Sequence, residues 1–177
     1  MFINRIIAML TGLVFLTQGH STPPFEILRS CIDLKPINTS IRLTELVDGS
    51  VAKVNENNCE DQYGEIFNGH LYGMVTCNDI FYLIINDQQI KASTAINMSV
   101  NPEIKPGYVF SNRALWHKIE RDDKSYLCIQ SALTESGNGS AHTQYYIIEN
   151  AFDPKAIPTL YYYFFAKDII PITSKHF

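Results

Sequence analysis

The chain has no apolar run long enough to span a bilayer, no Cys-x-x-Cys pair, no His-x-x-x-His pair and a single tryptophan. Each shortage removes a class of protein. The longest leading apolar run, Ile6 to Leu16, rises about 1.5 Å per residue and so covers roughly 16 Å, against a hydrocarbon core of about 30 Å. Without Cys-x-x-Cys, neither a zinc ribbon nor a thioredoxin-type dithiol is expected. His70, His117 and His142 lack local metal-ligand spacing. A metal site would have to be assembled from distant segments, for example with Glu65 or Asp79, and none is expected. There is no Gly-x-Ser-x-Gly elbow, no phosphate-cradling glycine loop and no His-Glu-x-x-His, so no cofactor is expected either. The 14 basic residues against 18 acidic ones form no cluster. Nucleic acid, which needs grouped Lys and Arg for its phosphates, is excluded as a partner on that ground.

What is present begins with the leader. Arg5, the apolar run to Leu16 and the short polar end Thr17-Gln18-Gly19-His20-Ser21 have the layout of a secretory signal peptide, with cleavage expected after Ser21. Residues 22–177 then form one exported domain, periplasmic or secreted, with no membrane span. Removing residues 1–21 takes away one charge, Arg5, and moves the formal net charge from −4 to −5. In an oxidising compartment the even set Cys31, Cys59, Cys77 and Cys128 reads as two disulfides. The favoured pairing is Cys31–Cys59 with Cys77–Cys128. The latter two fall in predicted strands, and the former two flank looser chain. Each loop would constrain the unfolded chain by roughly 3–4 kcal/mol.

Thr22 is placed to cap a short helix with prolines in its first turn, and Ile27, Leu28, Cys31 and Ile32 recur at helical spacing, so a helix is expected over 24–33. Short strand-like runs follow. Ile41 to Val47 and Val51 to Val54 flank Asp48-Gly49-Ser50. Asn68-Gly69 separates Ile66-Phe67 from His70-Leu71, and Asn78-Asp79 joins Leu71–Cys77 to Ile80–Ile85. Asn86-Asp87-Gln88 turns the chain toward Ile90. A polar connection over 95–107 precedes a short strand at Tyr108 to Phe110. Asp122-Asp123 joins Leu115–Arg121 to Lys124–Ser131. Residues 134–142 read as an exposed, mobile loop, and Gln144–Glu149 and Thr159–Ala166 as the last strands. The fold class is mainly β: a single antiparallel sheet domain, sandwich or barrel-like, with one short N-terminal helix and disulfide staples.

Chemistry has few footholds. A two-residue turn at Asp122-Asp123 sets His117 opposite Cys128, where a free thiol beside an imidazole could be a nucleophile; export favours a disulfide instead. Glu60-Asp61 and Asp122-Asp123 are adjacent carboxylates in turns, where Asp serves local hydrogen bonds. Asn38-Thr39-Ser40, Asn97-Met98-Ser99 and Asn138-Gly139-Ser140 match the glycosylation pattern, which chance supplies in a chain rich in these residues. Tyr145-Tyr146 and the run Tyr161 to Phe165 are the largest oddity. Alternation sets Tyr161, Tyr163 and Phe165 on one face and Tyr162 and Phe164 on the other. Leu160 to Phe165 is also uncharged and β-prone, hence aggregation-prone if exposed, with Lys167-Asp168 as gatekeepers.

The reading is an exported, non-catalytic binding protein that engages another protein as an inhibitor or immunity-type factor. Tyr145, Tyr161, Tyr163 and Trp116 are the candidate contact residues. The alternatives are a small secreted hydrolase using His117 with Cys128 or His70 with Glu65, and a glycan-binding module, because aromatic rings also stack on sugars.

Overall fold

The computed structural model describes residues 22–46, 59–110 and 114–169. The expected leader at 1–21 and the expected hairpin turn at Asp48-Gly49-Ser50 lie outside the described residues. Among the described residues one α-helix, α1 (Phe25–Asp33), precedes ten strands. These are β1 (Ile41–Glu45), β2 (Cys59–Phe67), β3 (His70–Cys77), β4 (Ile80–Ile85), β5 (Gln88–Lys91), β6 (Ile96–Asn97), β7 (Leu115–Arg121), β8 (Lys124–Ala132), β9 (Thr143–Glu149) and β10 (Thr159–Phe164). They form a six-stranded sheet in the order β1-β7-β8-β9-β10-β6 and a four-stranded meander β2-β3-β4-β5. All pairs are antiparallel except β6 with β10.

Alternation along the strands builds three layers. Tyr72, Met74, Leu83 and Ile85 of the small sheet meet Leu127, Ile129, Tyr146, Ile148, Tyr162 and Phe164 of the large sheet in one core. The intervening residues of the large sheet, Ile119, Tyr126, Cys128, Ile147, Tyr161 and Tyr163, point the other way and pack under Ile27 and Cys31 of α1. The domain is thus a β-sandwich with a helix on its outer face. The run Leu160 to Phe164 is apolar throughout because β10 is buried on both faces.

The tight turns follow the sequence. Asn68-Gly69, Asn78-Asp79 and Asn86-Asp87 all have positive φ at both residues, the conformation that joins twisted antiparallel strands through two residues. Gly69, at φ 84°, is the position where a Cβ would be strained. Between β8 and β9 the chain is exposed but takes a defined course. Its Asn138–Ala141 segment forms a 3-10 turn, and Gly139 packs so tightly on Thr134 that an added Cβ would lie 2.4 Å from the hydroxyl.

Four expectations are corrected. The helix is capped by Pro24, whose carbonyl accepts from Ile27 and Leu28 N–H groups, and not by Thr22. Residues 108–110 are not a strand, because side chains take the place of a backbone ladder there. Tyr146 donates to the Gly107 carbonyl, Gln144 Nε2 to Tyr108, and the Phe110 N–H binds Ser131 Oγ. Within the polar connection, Ile96–Asn97 pairs with Tyr161–Tyr162 as a parallel edge strand. The disulfides join Cys31 to Cys128 and Cys59 to Cys77, not Cys31 to Cys59 and Cys77 to Cys128. Cys77 belongs to an outer cluster of the small sheet with Val75 and Ile84, while Cys128 lies under α1. The sandwich core separates them.

Two arrangements fix the periphery. Asn97 Oδ1 accepts the Ser99 N–H while its Nδ2 donates to the Ile104 carbonyl, and Met98 and Val100 N–H groups bond to Tyr162 and Phe164. At the opposite end of the helix from Pro24, Leu34 takes a left-handed conformation, and Gln130 on β8 donates to the Cys31 and Ile32 carbonyls. That satisfies helix-end acceptors left without intrahelical partners.

Candidate binding face

The helix-side surface of the large sheet is ordered in cross-strand rows. One row runs Glu45, His117, Cys128, Ile147, Tyr161, Ile96, from edge to edge. The next runs Leu115, Gln130, Tyr145, Tyr163. The expected opposition of His117 and Cys128 is therefore present. Cys128 is bonded to Cys31, however, and supplies no thiolate. His117 is buried, with Nδ1 unpartnered among the described residues. Burial pushes its pKa below the usual histidine value, against a smaller upward pull from Glu45. The imidazole is held neutral in a seam of β1, β7 and the disulfide.

The candidate contact residues do not form one surface. Trp116 is half-buried on the opposite side of the sheet, packed against the inter-sheet core beside Ile129. Tyr161 is buried beneath α1. Tyr163 is buried too, and desolvation, with Tyr161 nearby, pushes its phenol up to about 12. Tyr145 is half-buried; burial raises its pKa, a hydrogen bond from Thr143 opposes that, and Asp33 at the end of α1 adds to it.

Phe165 gathers this row to solvent. It follows β10 directly, is 41% exposed, and holds its ring 6.1 Å from Tyr163 in a stacked orientation and 5.7 Å from Tyr145. Alternation already placed Phe165 with Tyr161 and Tyr163; only the outward swing at the end of the strand could not be read. Leu115, 42% exposed, marks the other end of the same row. The result is an aromatic ledge whose backing rings are fixed by the sheet.

A second cluster sits at the hairpin tips. His70 Nδ1 lies 2.6 Å from Asp87 Oδ2, and Asp87 Oδ1 accepts the Leu71 N–H at 2.7 Å. The bond from His70, then that from Leu71, hold the Asp87 carboxyl below its usual pKa. His70 thus takes Asp87 as its carboxylate. Glu65 stands opposite Tyr72 in the β2–β3 register. Asp87 was legible in principle: six-residue β4, paired after the Asn78-Asp79 turn, returns the Asn86-Asp87 turn to the His70 end. On the core side, Lys118 lies over Phe152 and Phe67 with Glu120 2.7 Å from its ammonium. Nothing in the local sequence marked this.

Among the described residues no helix is long and apolar enough to cross a membrane, and no three metal-capable side chains cluster. Two disulfides are compatible with an oxidising compartment. Comparison with known protein families, curated proteins and solved structures returns no match.

Proposed function

We propose that the chain is an exported, non-catalytic protein that binds another protein, as an inhibitor or immunity-type factor, through the ledge of Phe165 and Tyr145 backed by Tyr163. The observation that carries this reading is the half-exposed Phe165 ring stacked on a buried, hydrogen-bonded sheet. Large aromatic area held rigid before contact lowers the entropy cost of association, and such residues dominate binding energy at protein interfaces. The leader-like pattern of residues 1–21 and the paired cysteines support the export part of this reading. For the His117 and Cys128 version of the hydrolase reading, the Cys128 sulfur is bonded to Cys31 and offers no thiolate.

The test is retention of a partner from periplasmic and secreted extracts on the immobilised mature chain. One specific protein should be retained, and Phe165→Ala should weaken its binding by about 2 kcal/mol, roughly thirtyfold, without changing the thermal midpoint appreciably. Glycans retained in place of protein, or turnover of a peptide or glycan panel that disappears in Asp87→Asn, would overturn the reading.

A further inference from the structure

We infer that the Cys59–Cys77 disulfide is a reducible clasp on the edge of the four-stranded sheet, one that a dithiol opens while Cys31–Cys128 stays closed and the domain stays folded. This inference is independent of the binding reading. The two bridges differ in place. Cys31 and Cys128 are both fully buried, enclosed by Ile27, Ile119, Tyr126, Ile147 and Tyr161. Cys59 is half-buried and its partner Cys77 buried, and among the described residues Cys59 lies on β2, an edge strand with β3 as its neighbour in the sheet. Thiol–disulfide exchange requires in-line access of a thiolate to sulfur, so the outer bridge is the one within reach.

The backbone makes opening local. Cys59 and Cys77 already stand opposite each other in the β2–β3 register, so the bond links residues that the ladder also joins. Between Glu60 and Tyr63 the register shifts, and beyond that irregularity the strand pairing among the described residues consists of Cys59 with Cys77 and Glu60 with Thr76. The clasp therefore secures a two-pair stub, while the rest of β2, from Tyr63 to Phe67, is held by its own pairing to β3. Once the bond is cut, the stub can part from β3 and leave the Thr76–Cys77 backbone open as a strand-pairing edge.

The chemistry balances with a dithiol as reductant, either a small molecule or a thioredoxin-type protein. Its thiolate attacks the Cys59 sulfur, the Cys59–Cys77 bond breaks, and Cys77 leaves as thiolate. The second thiol of the reductant then attacks the mixed disulfide and releases Cys59. The chain gains two electrons and two protons, and the reductant ends as its own disulfide.

The experiment treats the oxidised full-length chain with graded dithiothreitol, traps free thiols by alkylation and locates them by peptide mass. Cys59 and Cys77 should be labelled about tenfold or more faster than Cys31 and Cys128. Amide exchange should rise at residues 59–60 and 76–77 and stay unchanged in β7 to β10. A Cys59→Ser, Cys77→Ser double variant should show the same local exchange pattern without reductant. Simultaneous opening of both bridges, prior opening of Cys31–Cys128, or loss of protection throughout the domain on cutting Cys59–Cys77 would each overturn the inference.

Discussion

The six-stranded sheet is covered on both faces, by α1 on one side and the small sheet on the other, and its disulfide crosses layers. The four-stranded sheet shares one face with the core, and its disulfide joins neighbours within the sheet. Similar chemistry therefore does different work. Cys31–Cys128 decides where α1 docks, together with the ion pair of Glu26 with Arg121 and the Gln130 bonds at the helix end. Cys59–Cys77 adds to a cross-strand pair within one hairpin, beyond the register shift between Glu60 and Tyr63. Sequence separation carries the same lesson, since one bridge spans 97 residues and the other 18.

The contrast can be broken first at the long bridge. Cys31→Ser with Cys128→Ser should cost about 4.7 kcal/mol on the loop-entropy relation and release the helix, seen in urea unfolding and in exchange of α1 amides. The equivalent change at Cys59 and Cys77 should cost about 3 kcal/mol by the same relation, with the β7–β10 amides keeping their relative protection. Equal losses, or loss of order in the large sheet from the second variant, would erase the distinction. Gln144→Ala tests the core between the sheets. It removes the Nε2 donor shared by the Tyr108 and Ala132 carbonyls and the Oε1 acceptor of the Tyr162 hydroxyl, for about 2 kcal/mol.

The finest probe is pH. The unfolded chain takes up a proton at His117 near pH 6.5, while the folded chain resists it because the ring is buried. Its contribution is complete above pH 6.5 and falls as pH drops below that value, so His117→Gln should flatten the stability profile there. Further acidification reaches Asp87 and Glu120, both held below their usual 3.8 and 4.5, the first by His70 and the second chiefly by Lys118. Their contribution is present above those values and lost as pH falls through the folded ones. Asp87→Asn should remove a share small enough to need chemical denaturation curves at several pH values, since the pair is largely exposed.

Much of the sheet architecture was legible because turn chemistry and alternation are local. Asn-Gly and Asn-Asp fix two-residue turns, and counting from Asp122-Asp123 gave the register of His117 with Cys128 correctly. Disulfide partners were not legible, since they depend on which face and which sheet each strand occupies. Segment 107–110 was misread for a related reason. Gly107, Tyr108 and Phe110 owe their position to Tyr146, Gln144 and Ser131, which lie between 21 and 39 residues away in the chain. The aromatic ledge was half legible: its members are set by alternation, but Trp116 lies on the opposite face of the sheet, against the inter-sheet core.

The strap at Ile96–Val100 has a consequence for the life of the protein in concentrated solution. Its parallel pairing occupies the free side of β10, and Asn97 turns one of the outward N–H groups back on its own chain. The uncharged, β-prone run of β10 is thereby flanked by β9 and this short strand. Copies of the molecule meet a hydrogen-bonded rim there instead of a template for growth.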